Sequence, residues 1–148
     1  MTKRTKIMLR SCGLITFLLP VVLIIVFFSR DSPSEIKLNC NIHHSPCTQT
    51  ISGTKISLEI FPRPVKSMED LTFQVKIPGY SGSVLPVLDL DMPGMEMGIN
   101  QVHFKVLRQG VFSGKGVIVR CPTGKKLWRA SITVPEMGTA NFVFNVVY

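Results

Sequence analysis

The sequence predicts an all-β protein, an immunoglobulin-like antiparallel β-sandwich carried by one N-terminal transmembrane helix. Three observations predict it. Short apolar runs alternate with polar residues at period two over most of the chain. Gly and Pro, 11 and 10 of the 148 residues, fall between those runs rather than inside long helical stretches. A mean hydropathy of +0.29 exceeds what one soluble domain needs, and the excess sits near the N-terminus.

From Ser11 to Ser29 no residue is charged. A helix over 11–29 would span roughly 28 Å at about 1.5 Å per residue, enough for a hydrocarbon core. Pro20 is tolerated in such a helix, with a kink. Lys3, Arg4, Lys6 and Arg10 precede the segment, which keeps residues 1–10 cytoplasmic and exports the rest. The run is longer than a signal-peptide core, and Phe28-Ser29-Arg30 offers no small-residue cleavage site. An uncleaved anchor is therefore expected. Cys12 lies within it and is expected to be inert.

Residues 30–50 are polar, with little periodicity, and are expected to form a linker or stalk. The exported domain should occupy 51–148, with seven strands. Ile56, Leu58 and Ile60 share one face of 55–61, and Leu71, Phe73, Val75 and Ile77 one face of 71–77. The third run, 83–90, contains Pro86, so an edge or bulged strand is expected there. In 102–108, Val102, Phe104 and Val106 should point inward and His103 outward. Gly110 suits the hairpin turn that follows. Gly114 and Gly116 suggest a bend in 111–120. Trp128, Ala130, Ile132 and Val134 line one face of 127–134, and Phe142, Phe144, Val146 and Tyr148 one face of 141–148. About 95 residues with turns at this spacing suit an immunoglobulin-like sandwich.

The formal net charge is +8, but half of it belongs to the four basic residues before the apolar segment. The rest is scattered apart from Lys125-Lys126 with Arg129, so no nucleic-acid partner is expected. No nucleophile–base pair, Gly-rich phosphate loop or paired catalytic carboxylates stand out, so no enzyme is expected. Asp89, Asp91 and Glu96 match no calcium-loop spacing.

Cys40, Cys47 and Cys121 lie on the exported side, where disulfides form. Three thiols permit three pairings. Cys40-Asn-Ile-His43-His44-Ser-Pro-Cys47 reads either as a soft-metal clip or as a local Cys40–Cys47 disulfide. An oxidising compartment favours the disulfide. The second chemical signal is Asp91-Met92-Pro93-Gly94-Met95-Glu96-Met97-Gly98. Pro-Gly makes a turn, and the Met-x-x-Met-x-Met spacing offers two or three thioethers, soft ligands suited to Cu(I). His103 or Cys121 would complete such a site. The competing reading is that these methionines simply fill irregular gaps in the core.

Met95-Glu-Met-Gly98, Gly110-Val-Phe-Ser-Gly114 and Leu127-Trp-Arg-Ala130 together resemble the YtkA-like and FixH-like membrane-anchored bacterial domains. In those a Met-rich loop precedes a G-x-[YF]-x-[GA] hairpin, and a Trp-bearing strand follows. The resemblance covers residues 50–148 and the single anchor. It implies a periplasmic immunoglobulin-like domain on the bacterial inner membrane. It also implies Cu(I) as cofactor and work beside a copper-transport or cytochrome oxidase assembly complex. Its ligands would be Met92, Met95, Met97 and His103. The Cys40, Cys47 and Cys121 thiols depart from the family pattern. The alternative function is a metal-free β-sandwich interaction module of a membrane complex.

Overall fold

The computed structural model describes residues 37–148. The expected cytoplasmic N-terminus, the 11–29 membrane helix and Cys12 lie outside the described residues. Nine strands run through the described part: β1 Cys47–Ile51, β2 Thr54–Phe61, β3 Asp70–Lys76, β4 Val87–Asp91, β5 Gln101–His103, β6 Lys105–Arg108, β7 Val111–Val117, β8 Leu127–Val134 and β9 Gly138–Asn145. They form a five-stranded sheet, β1-β2-β3-β7-β6, and a four-stranded sheet, β5-β4-β8-β9. Every ladder is antiparallel.

The alternation seen in the sequence is the alternation of burial. Ile56, Leu58 and Ile60 of β2, Leu71, Phe73 and Val75 of β3, and Trp128, Ala130, Ile132 and Val134 of β8 all face one core. Period two allows nothing else once one side of each sheet is covered. Trp128 lies at its centre, and its indole N–H has no hydrogen-bond partner.

Four expectations are corrected. The stretch expected as a stalk through residue 50 contributes to the domain. Ile42 is fully buried, Cys40 and Cys47 join the core, and 47–51 pairs with β2 as β1. Asn39 is part of the same covering. Its N–H donates to the Val143 carbonyl at 3.1 Å, and its side-chain oxygen accepts the Val143 N–H at 2.8 Å. This satisfies the outward N–H and C=O of Val143 on the edge of β9. Second, Pro86 lies just before β4, so the third strand is an interior strand between β5 and β8. A proline outside the ladder costs no hydrogen bond.

Third, the run 102–108 is two strands. β5 pairs with β4, the chain changes sheets at Phe104, and β6 pairs with β7. Val106 therefore ends up 58% exposed rather than inward. Fourth, Gly114 and Gly116 admit a neighbour rather than a simple bend. A Cβ on Gly116 would approach Val102 Cγ2 to 2.8 Å, so the glycines let the sheet-changing strand lie close against β7.

Candidate functional site

The methionine loop is built by its flanks. Leu90 donates its N–H to the Asn100 carbonyl at 2.8 Å, closing the connection between β4 and β5. Met95 donates to the Met92 carbonyl at 3.1 Å, with Pro93 and Gly94 between them and Gly94 at φ 73°. Proline second and a positive-φ glycine third is the signature of a type II turn. At the base, Arg129 grips Asp91 twice, Nε to Oδ1 at 2.9 Å and Nη2 to Oδ2 at 2.6 Å. That hydrogen-bonded carboxylate raises the Arg129 pKa above its ordinary value.

The turn divides the three thioethers. Met92 is 2% exposed and belongs to the core. Met95 and Met97 are half-buried, packed against the core yet reachable, while Glu96 points out and Ile99 is 91% exposed. Filler and ligand readings thus fall on different residues of one motif.

His103 is exposed, as its place on the strand requires. It pairs with Val87, the first residue of β4, whereas the loop leaves from the last, Asp91. The imidazole-bearing residue stands three positions beyond Asn100, about 10 Å of extended strand. It lines a separate groove of about 370 Å³ with Thr72, Lys105, Leu107, Ser113 and Lys115. The ladder therefore separates His103 from Met92, Met95 and Met97.

Cys121 is on the methionine side. Asp91 pairs with Arg129, so the loop that follows β4 and the loop that precedes β8 leave the four-stranded sheet at the same end. Cys121 sits in that second loop as a buried free thiol, 3.0 Å from Thr123 Oγ1. Hydrogen bonding to Thr123 pulls the thiol pKa below its ordinary value. Burial opposes this, and backbone hydrogen bonds with Thr123 and Lys125 and the Lys125 charge reinforce it. The Cys121 N–H donates to the Tyr148 hydroxyl, which donates to the Lys125 carbonyl. Arg120 and Lys126 lie 5.2 and 5.8 Å from the Tyr148 ring centre. The thiol is thus held in a basic, cross-braced loop, a setting that favours thiolate.

Met68, which no sequence motif singled out, reaches the same end. Its N–H donates to the Ile118 carbonyl at 2.8 Å, and the residue is 67% exposed. An isolated Met-Glu-Asp before a strand carries no signal for this.

Cys40 and Cys47 form a disulfide across a Cα separation of 5.5 Å. Their sulfurs are bonded to each other, so the soft-metal clip gives way to the disulfide. His43 Nδ1 accepts the Val65 N–H at 3.0 Å, which ties its loop to the segment before β3. His44 is exposed, and its carbonyl accepts from Arg63. Among the described residues no group of three or more His, Cys, Asp or Glu side chains could hold a metal. Thioethers lie outside that set; Met95, Met97, Met68 and Cys121 are soft donors borne on loops at this end of the four-stranded sheet.

No family model, curated protein or solved structure matches the chain.

Proposed function

We propose that this chain is a membrane-anchored accessory protein whose immunoglobulin-like domain lies outside the bacterial inner membrane. There it binds Cu(I) through Met95, Met97 and Cys121 and passes it to a copper-transport or oxidase-assembly partner. One observation carries the reading: two half-exposed thioethers and a thiol of lowered pKa occupy loops at one end of the sandwich. Thioether and thiolate are the donors Cu(I) prefers. An incomplete, loop-borne set suits transfer, because a partner can add ligands as the first ones leave. His103 drops out of the ligand set by position; Met92 and Cys121 are both core-buried, 2% and 3% exposed, and Cys121 is kept for its thiol chemistry.

The test uses the full chain in detergent micelles with Cys12→Ser, so that Cys121 is the only free thiol. Anaerobic titration with Cu(I) against a chromogenic chelator should give tight 1:1 binding. Cys121→Ser, or Met95→Leu with Met97→Leu, should weaken it by roughly tenfold or more, and His103→Ala should leave it unchanged. Failure of the parent chain to compete, or equal affinity in the thioether variant, overturns the reading.

A metal-free interaction module is a second reading. The bare, partly apolar edge of β6 favours it.

A further inference from the structure

Edge strands expose unpaired N–H and C=O groups that recruit another strand unless something blocks them. The edges of this sandwich are treated differently. The five-stranded sheet ends in β1 and β6 and the four-stranded sheet in β5 and β9. Asn39 caps β9 at Asn141 and Val143, β5 is only three residues long, and β1 fully exposes only Thr48 and Thr50. β6 has four residues, with a register shift between Val106 and Arg108. β7 holds one side of it, through Lys105 opposite Ser113, Val106 opposite Phe112 and Arg108 opposite Val111. Among the described residues no strand holds the other side. All four of its residues are exposed, Val106 and Leu107 at 58% and 61%.

The two faces of this edge differ in charge. His103, Lys105 and Leu107, at alternate positions, line the 370 Å³ groove with Thr72, Ser113 and Lys115. Thr72 is opposite Lys115 and Lys105 is opposite Ser113, so the two lysines lie in diagonal register on one face. No acid lines the groove, and among the described residues neither lysine has an ion-pair partner. On the other face stands Val106. Val84, Leu85 and Val87, all exposed, lie at the start of β4, whose first residue pairs with His103.

We propose that β6 receives an extended segment of a partner protein in which acidic and apolar residues alternate. Its main chain continues the five-stranded sheet. Its carboxylates lie over the His103–Lys105–Lys115 groove, and its apolar side chains lie against Val106. The inference rests on the interaction-module reading and names the partner's chemistry. Strand addition draws affinity from main-chain hydrogen bonds and specificity from alternate side chains. Charge selects against a second copy as occupant. Antiparallel pairing of β6 with itself would set Lys105 against Arg108, and like charges directly opposite are destabilising.

The test adds synthetic seven-residue peptides to the full chain in detergent micelles. One alternates Glu and Val, one replaces every Glu by Gln, and one replaces every Glu by Lys. The Glu peptide should bind and shift the amide resonances of Val106, Leu107 and Arg108. The Gln peptide should bind at least about tenfold more weakly and the Lys peptide not at all, with the preference fading as salt screens the lysines. Lys105→Glu with Lys115→Glu should reverse the Glu-over-Lys preference. Since the peptide series leaves the protein unaltered, the outcome does not depend on a variant folding. Equal binding of the Glu and Gln peptides overturns the acidic partner but leaves the docking reading standing. Absence of binding by all three overturns both. Self-association of the chain that Val106→Asp abolishes overturns the partner assignment in favour of a second copy.

Discussion

The carbonyl oxygen of His103 occupies the space in which Gly114 would carry a side chain. A Cβ at residue 114 would come within 2.6 Å of that oxygen and of Val102 Cγ1. The chain changes sheets at this crossing, so one hydrogen-for-methyl position sets where β5 ends and β6 begins.

Gly114→Ala should therefore destabilise the domain by about 1–3 kcal/mol, the range for overpacking where backbone must shift. Gly98, on the open methionine loop with nothing within 4 Å, is the control, and Gly98→Ala should be near neutral. Urea denaturation of both variants checks this. Equal stability of the Gly114 variant and the parent would remove the crossing from the account of the fold.

The Cys40–Cys47 bridge closes a short loop, with a sequence separation of 7. Replacing both cysteines by Ala should cost about 2–3 kcal/mol from loop-closure entropy alone. The same change should free the segment around Asn39, seen as faster amide exchange at Val143, whose N–H that side chain accepts. Unchanged exchange at Val143 would mean that Asn39 holds the β9 edge without help from the bridge.

The Asp91–Arg129 pair is about one-third exposed on both sides, so its contribution to stability is small. Asp91→Asn should cost under about 1 kcal/mol, less at high salt. Its larger effect should fall on the loop it anchors, with Cu(I) affinity reduced while the melting transition barely moves. A variant with full affinity would show that the Pro93-Gly94 turn alone orders the loop.

The Cys121 thiol is held below its ordinary pKa chiefly by Thr123. Its folded value lies under its unfolded one, so the linked stabilisation is complete above the unfolded value. It is lost as pH falls through the folded value. Thr123→Val should raise the thiol pKa and narrow that window. Thiolate absorbance near 240 nm against pH, with Cys121→Ser as the blank, reads the shift. No upward displacement would overturn the hydrogen bond as its cause.

Much of the sandwich is legible in the order of residues. Alternation marks the inner faces of β2, β3, β8 and β9. A pleated strand with one covered side has no other way to bury residues spaced like Ile56, Leu58 and Ile60. Pro93-Gly94 marks the turn, Gly110 the hairpin, and the closeness of Cys40 to Cys47 their bridge. Each of these is a local signal, read from neighbours in the chain.

What the sequence does not decide is which strand lies beside which. Period two says that a residue faces inward, not which sheet it joins, so Val102-to-Arg108 reads as one strand although Phe104 divides it between two. The same gap governs the candidate site. His103 is near the methionines in number but is carried away from them by its pairing with Val87. Cys121 is distant in number, yet the Asp91–Arg129 rung brings its loop to their end of the sheet. Faces are set by local sterics and burial. Neighbours across a sheet are set by long-range register, and only the folded chain contains it.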